Sequence, residues 1–262
     1  LYLGPAFENL LTRDTRTGEF YGMLAEKWTV SPDGKIWTFN LRKGVQFHEG
    51  WGELTAQDVK FTFEMIAKEG SANARAVAMR NIDAYEIPDP YTIILRLKKP
   101  SILFYQDVAT GTVSLAHIVS KKYYDSVGAE AAGRKPIGTG PFRFVKHVAG
   151  DTIEYEAVPN HWRQVPYFKT LLLKKVPETS TRMAMLQAGA VDIIDLSLEA
   201  VKEVQKLGLK TISVPNTAFV MVALGGQYFT DAHKAGYDPK VPWAQPDAER
   251  ARKVRQALNL AV

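Results

Sequence analysis

A tight turn between two alternating segments constrains the fold of this chain more than any other feature. Ser31-Pro32-Asp33-Gly34 fits a β-turn, because proline presets the backbone angle of the first central position and glycine tolerates angles that other residues resist. From Ile36 to Leu41, every second residue is Trp, Phe or Leu, as expected for a strand with one buried face. The pattern predicts a β-hairpin within residues 24–50.

The same region carries an ordered series of short motifs that a generic hairpin does not require. The series is AEKW at 25–28, DGKIWTF at 33–39, LRKGV at 41–45 and FHEG at 47–50. It closely resembles the family 5 solute-binding proteins, the extracellular binding proteins that serve dipeptide, oligopeptide and nickel ABC importers.

Further motifs continue the resemblance in the order that the family has them, over nearly the whole chain. They are ENLL at 8–11 with Thr17-Gly18, LTAQDV at 54–59, PIGTGPF at 136–142, NHW at 160–162, LQAGAVDI at 186–193 and VRQALNLA at 254–261. The resemblance implies an α/β fold of the periplasmic-binding-protein type, in its type II, three-subdomain variety. It also implies a non-enzymatic receptor that closes two lobes around a solute.

The resemblance implies four divisions of the chain. Residues 1–8 with 135–224 would form the core of the first lobe, and residues 9–134 a peripheral subdomain that contains β-structure. Residues 225–246 would be a loop or linker, and residues 247–262 the first helix of a second lobe. That helix reaches Val262 without a Gly or Asn cap, so we expect the chain to be the N-terminal portion of a longer protein.

Composition narrows the function classes. The net charge of +5 is distributed over separate lysine pairs and not concentrated on one stripe, so no nucleic-acid partner is expected. The absence of cysteine excludes disulfides and thiolate metal sites. No apolar run approaches the ~20 residues that span a bilayer. We expect no cofactor and no metal site.

Local patterns predict several elements. A capping box at Thr55 and Asp58 opens a helix through about Lys68. We also predict a short helix at 120–127 before Gly128, a helix between 177 and 189, and a helix capped at Ser197. The predicted strands are 91–97, the pair 142–147 and 152–157, and then 171–176, 191–195, 210–214 and 218–224.

No catalytic constellation appears in the sequence. The five histidines are far apart, without an HExxH pair, and neither a nucleophile elbow nor a Walker loop is present. For each histidine we predict a structural hydrogen bond in preference to a metal or catalytic role. For Gly138 and Gly140 we predict that glycine satisfies backbone geometry at the passage between subdomains.

Candidate ligand contacts follow predicted strand ends, where α/β folds commonly bind ligands. Asp195, Leu196 and Ser197 follow the strand at 191–195, although Asp195 and Ser197 are equally suited to be helix N-caps. By resemblance, Asn216, Thr217 and Phe219 would edge the cleft, the alternative being a plain strand entry with Phe219 in the core. Thr110, Gly111 and Thr112 would approach the cleft from the peripheral subdomain.

The function that these expectations favour is capture of a peptide or similar small solute for an ABC importer. The implied partners are the ligand and the permease membrane subunits, with the protein acting as a monomer. The implied location is the periplasm, or the outer side of the cytoplasmic membrane as a lipoprotein. Two alternatives stay open: the ligand-sensing domain of a regulator, and a hydrolase that uses carboxylates.

Overall fold

The computed structural model describes residues 3–14, 16–110, 116–197 and 200–212, together with residues 249, 252–254 and 256–257. The chain divides into two units, Leu1–Val214 and Pro215–Val262. In the second unit the described residues are helical, within the helix predicted at 247–262. The account below concerns the first unit.

The predicted hairpin is confirmed and forms one side of a four-stranded antiparallel sheet. Strands β3 (Ala25–Val30) and β4 (Ile36–Leu41) pair across the turn, and the amide of Gly34, at φ 69°, donates to Ser31 O at 2.8 Å. The sheet order is β3-β4-β6-β5, where β5 is Ile82–Asp89 and β6 is Thr92–Leu97. Every second β4 side chain is buried, as the alternation predicts.

A smaller sheet and four helices complete the described part of the fold that precedes residue 136. In the smaller sheet β1 pairs antiparallel with β2 and parallel with β7. The bounds are β1 Leu11–Arg13, β2 Phe20–Gly22, β7 Ala109–Thr110, α1 Ala56–Ala67, α2 Ala76–Arg80, α3 Phe104–Asp107 and α4 Lys121–Arg134, with a 3₁₀ turn at His48–Gly50.

Asp58 joins the N-termini of two helices, α1 and α4. Its Oδ2 accepts from the backbone amide of Thr55 and from the Thr55 hydroxyl, both at 2.9 Å, which completes the predicted capping box. Its Oδ1 accepts from the backbone amide of Lys121 at 2.8 Å. The side chain is buried, so one carboxylate fixes the relative position of both helices. In α4 the predicted break occurs at Gly128, at φ 80°, and helical turns then resume to Arg134.

The crossover, residues 136–141, leads into a three-stranded antiparallel sheet of order β10-β9-β8. Strands β8 (Phe142–Val148) and β9 (Thr152–Ala157) form the predicted hairpin, and β10 is Thr170–Lys174. Helices α5 (Thr179–Gln187) and α6 (Val201–Lys206) follow. Residues 218–224 lie outside the described part of the chain.

Two strand predictions are wrong in the described residues. Residues 191–195 and 210–212 form no strand. Both segments are short and apolar enough to suit a strand, but a strand also needs a neighbour that satisfies its backbone hydrogen bonds. The described structure pairs neither segment with another strand.

The buried apolar residues form two clusters. All buried members of the larger cluster lie between Leu10 and Ile137. The smaller cluster combines Ala6 and Phe7 with Val119 and with residues of β8 and β9. In the part of the chain that the structure describes, none of the helices has the length and apolar character needed to cross a bilayer.

Candidate functional site

The N-terminal segment, residues 5–9, packs directly against the crossover. The amide of Gly140 donates to Ala6 O at 2.9 Å, and the amide of Phe142 donates to Pro5 O at 3.1 Å. A Cβ atom on Gly138 would lie 2.0 Å from Ala6 O, and one on Gly140 would lie 2.5 Å from Pro5 O. The backbones are therefore too close for any side chain at these two positions. The glycines provide this close approach, consistent with the predicted backbone role.

A buried carboxylate lies at this junction. Glu8 Oε2 accepts hydrogen bonds from Thr139 Oγ1 and from Trp162 Nε1, both at 3.0 Å. Glu8 Oε1 accepts from Arg163 Nη2 at 3.1 Å and lies 3.7 Å from His161 Nε2. Burial acts to raise the pKa of Glu8, but His161, the Trp162 indole N–H and the Arg163 charge outweigh it and lower that pKa. Glu8 therefore stays ionised and binds the crossover to the loop that follows β9.

Trp162 is further fixed by two guanidinium groups. Arg42 Cζ lies 5.4 Å from the centroid of the Trp162 ring, and Arg163 Cζ lies 5.9 Å from it. Arg42 Nε also donates to Met23 O at 2.7 Å. Through these contacts the end of β4 is connected to the loop that carries the NHW motif.

Two buried histidines contact the crossover backbone. His48 Nε2 lies 2.8 Å from Gly140 O, and its Nδ1 lies 3.4 Å from the amide nitrogen of Gly138. His161 Nε2 lies 3.0 Å from Thr139 O. For His48 the neutral tautomer with a proton on Nε2 satisfies both contacts, since Nε2 then donates and Nδ1 accepts. Burial lowers the pKa of His48 and favours this neutral form.

A third histidine contacts the N-terminal segment from the other side. His117 Nδ1 lies 2.7 Å from Asn9 Oδ1, and its ring centroid lies 6.0 Å from that of Phe7. Burial lowers the pKa of His117. Three histidines that are distant in sequence therefore meet at one junction. Their contacts fit the predicted structural role, and no group of three His, Asp or Glu residues suited to a metal ion occurs among the described residues.

A cavity of about 740 Å³ lies next to the crossover. His48 and His161 line it, together with the aromatic side chains of Phe47, Trp162, Tyr167 and Phe168. The ion pair between Arg143 and Glu156, at 2.5 Å, also lines it. The volume falls in the range of small-molecule pockets, and the lining combines apolar with polar and charged side chains.

Residues 19–262 match the sequence profile of the family described as "Bacterial extracellular solute-binding proteins, family 5 Middle".

The chain belongs to this family.

Two curated members of family 5 are similar to the chain. The heme-binding protein A of Haemophilus influenzae is 31% identical over 91% of the chain and 44% of its own length. The dipeptide-binding protein of Escherichia coli is 32% identical over 72% of the chain and 39% of its own length. The chain thus spans less than half the length of these curated relatives.

The fold is also that of solved family 5 structures. The ABC transporter-associated periplasmic binding protein DppA from Helicobacter pylori, in complex with the peptide STSA, superposes with a TM-score of 0.67 at 29% identity. The match covers 78% of the chain and 44% of the Helicobacter chain. The predicted fold class, an α/β fold of the type II periplasmic-binding-protein kind, is confirmed.

Of the expected ligand contacts, four lie in the described residues. The strand at 191–195 after which Asp195, Leu196 and Ser197 were expected does not form. The Asp195 side chain is 89% exposed, with Oδ1 3.4 Å from Arg182 Nε. Leu196 is half-buried, and Ser197 is exposed with its carbonyl accepting from the amide of Ala200 at 3.2 Å. Thr110 lies in β7, and its hydroxyl donates to Leu11 O at 3.4 Å. The remaining expected contacts, Gly111, Thr112, Asn216, Thr217 and Phe219, lie outside the described residues.

The junction around Glu8 was not predicted as a unit. The only indication in the sequence is that its members lie within family motifs. These members are Glu8, Gly138, Thr139, Gly140 and His161. Glu8 and Thr139 are 131 positions apart in the chain, and Glu8 and Trp162 are 154 apart. Local periodicity carries no information on contacts at such separations.

Proposed function

We propose that the protein is an extracytoplasmic solute-binding protein of an ABC importer, which captures a peptide or similar small solute and delivers it to the permease. The observation that carries the proposal is the family 5 match across residues 19–262. The relatives' names, which include a dipeptide-binding protein and a complex with the peptide STSA, support a peptide in particular.

The physical basis of the mechanism is closure of two lobes. A solute buried between lobes contacts both, so its binding favours the closed state over the open one. On this proposal residues 1–8 and 135–224 belong to the core of one lobe, and residues 9–134 to its peripheral subdomain. The protein acts as a monomer, without catalysis, in the periplasm or as a lipoprotein on the outer side of the cytoplasmic membrane.

Asp195, Ser197 and Thr217 are the proposed polar contacts at the mouth of the cleft. The exposure of Asp195 and Ser197 supports the proposal, since both side chains are accessible to a solute. Ser197 lies just before α6, and its carbonyl accepts from the amide of Ala200 at 3.2 Å, so a helix-capping role stays open as the alternative.

Calorimetric titration of the full-length protein with the peptide STSA, the dipeptide Met-Leu and haemin tests the proposal. We expect saturable binding of at least one peptide without its hydrolysis. Ser197→Ala and Thr217→Ala should each weaken that binding about 5- to 150-fold, because an unpaired ligand group costs about 1–3 kcal/mol. Ser126→Ala, in an exposed position of α4, is the matched control.

The same titration can contradict the proposal. It would do so if none of the probes bound to the protein, or if the peptide were hydrolysed. If Ser197→Ala melts at a lower temperature and binds normally, Ser197 is a helix cap and not a ligand contact.

A further inference from the structure

His48 is the residue at the junction whose contacts depend most directly on protonation. Its ring contacts two residues of the crossover backbone, with Nε2 2.8 Å from Gly140 O and Nδ1 3.4 Å from the Gly138 amide nitrogen. Its own amide donates to Gly138 O at 2.9 Å. The residue is 6% exposed, so water does not replace a lost contact.

A proton on Nδ1 is incompatible with this arrangement. A neutral imidazole offers one donor and one acceptor, whereas an imidazolium offers two donors. Protonated Nδ1 would face the N–H of Gly138, donor against donor, in a buried site. The N-terminal segment packs closely on Gly138, since Ala6 O lies 2.0 Å from the position that a Cβ atom there would take. Separation of the two donors requires the ring and the crossover to move apart.

The environment of His48 shifts its pKa in both directions. Burial, the largest effect, and His161 lower the pKa, whereas Glu8 from the N-terminal segment and the neighbouring Glu49 raise it. Lys135, at the end of α4, neutralises Glu49 through an ion pair at 2.5 Å. Across the cavity Arg143 and Glu156 pair with each other. Glu8 itself is held by other donors, Thr139, Trp162 and Arg163.

We propose that His48 is a positioning residue for solute capture: through its contacts with Gly138 and Gly140, the neutral ring locks the crossover in the position where it bonds to Ala6, and protonation of the ring unlocks it. Burial lowers the pKa of His48, so the fold favours the neutral ring and acid opposes it. The unlocking itself is a property of the junction. Its effect on the solute rests on the proposed function.

Hydrogen exchange and histidine NMR on the whole chain test the unlocking directly. The ring resonances of His48 report its protonation between pH 7.5 and 4.5, and the Gly140 amide, which donates to Ala6 O at 2.9 Å, reports the position of the crossover. Protection of this amide, corrected for intrinsic exchange, should fall at least tenfold as His48 titrates. In His48→Gln the side-chain amide can still donate to Gly140 O but does not titrate, so protection should stay constant with pH.

Two further variants keep the result interpretable. His147→Gln changes an exposed histidine of β8 and should behave as the wild type does. If His48→Gln does not fold, His48→Asn retains an acceptor near the Nδ1 position and serves in its place. Protection that is independent of pH in the wild type would overturn the proposal. So would the same loss of protection in a folded variant without the imidazole.

The consequence for solute binding is measured separately. Dissociation of the peptide STSA should be faster at pH 5 than at pH 7.5 in the wild type, and this difference should be absent in His48→Gln. If STSA, Met-Leu and haemin all fail to bind at pH 7.5, the proposed function fails, whereas the exchange experiment still decides the role of His48.

Discussion

Replacement of Gly138 by alanine tests whether the junction is as tight as the structure indicates. The new Cβ would lie 2.0 Å from Ala6 O and 2.9 Å from the Phe7 ring. Separations under 3 Å between such atoms are not tolerated, so one backbone must move. The neighbouring hydrogen bond from Gly140 to Ala6 and the contacts of Glu8 restrict that movement. Overpacking of this kind costs about 1–3 kcal/mol.

The expected result for Gly138→Ala is a melting temperature about 2–12 °C lower, since each kcal/mol corresponds to about 2–4 °C in a domain of this size. Gly133→Ala is the matched control, because nothing lies within 4 Å of its Cβ position and the residue is helical. Alanine there should raise stability by up to about 1 kcal/mol. Thermal unfolding followed by circular dichroism measures both. If Gly138→Ala and Gly133→Ala shift the melting temperature in the same direction, the close approach is not a constraint.

Three further predictions concern buried polar groups. Glu8→Gln should lower the free energy of unfolding by about 1.5–3 kcal/mol at pH 7, whereas exposed Glu130→Gln should change it by less than about 0.5 kcal/mol in denaturant titrations. Because the pKa of Glu8 is lowered in the fold, its contribution to the free energy of unfolding is complete above the ordinary pKa of 4.5 and is lost as the pH falls through the lowered pKa; a wild-type advantage over Glu8→Gln that grows as the pH falls below 4.5 would contradict this. Asp58→Asn should lower the free energy of unfolding by about 1–3 kcal/mol, because only one end of an amide side chain can accept hydrogen bonds. Increased hydrogen exchange at the Lys121 amide would show that the contact to α4 is the one lost. Trp162→Phe keeps an aromatic ring but removes the hydrogen-bond donor to Glu8. Calorimetric melting should show a free energy of unfolding lower by about 1 kcal/mol. An unchanged melting temperature would mean that the hydrogen bond from the indole is dispensable.

The sequence predicts those features of the fold that depend on neighbouring residues. The Asp33-Gly34 turn and the Thr55–Asp58 capping box are local, because each is decided by backbone angles and side chains within four positions. The segment at 191–195 shows the opposite case. Its composition suits a strand, but the described structure gives it no partner, and pairing is a property of the fold and not of the segment.

The junction could be predicted only in pieces. The family motifs pointed to Glu8, Gly138 and His161 separately, without a reason why they should be near one another. They come together because the chain folds back on itself over more than a hundred residues. Periodicity and turn propensity do not encode contacts at such separations. The role of His48 depends in addition on which ring nitrogen faces which backbone group. That orientation becomes visible only in three dimensions.

The hydrogen bond between Ala6 and Gly140 has a consequence for how this protein can be rebuilt. It places the start and the end of a long intervening segment side by side, and all buried members of the larger hydrophobic cluster lie within that segment, between Leu10 and Ile137. A segment with adjacent ends can be replaced by the equivalent segment of a relative by joining only two neighbouring points. The junction thus offers a pair of splice sites for chimeras with relatives.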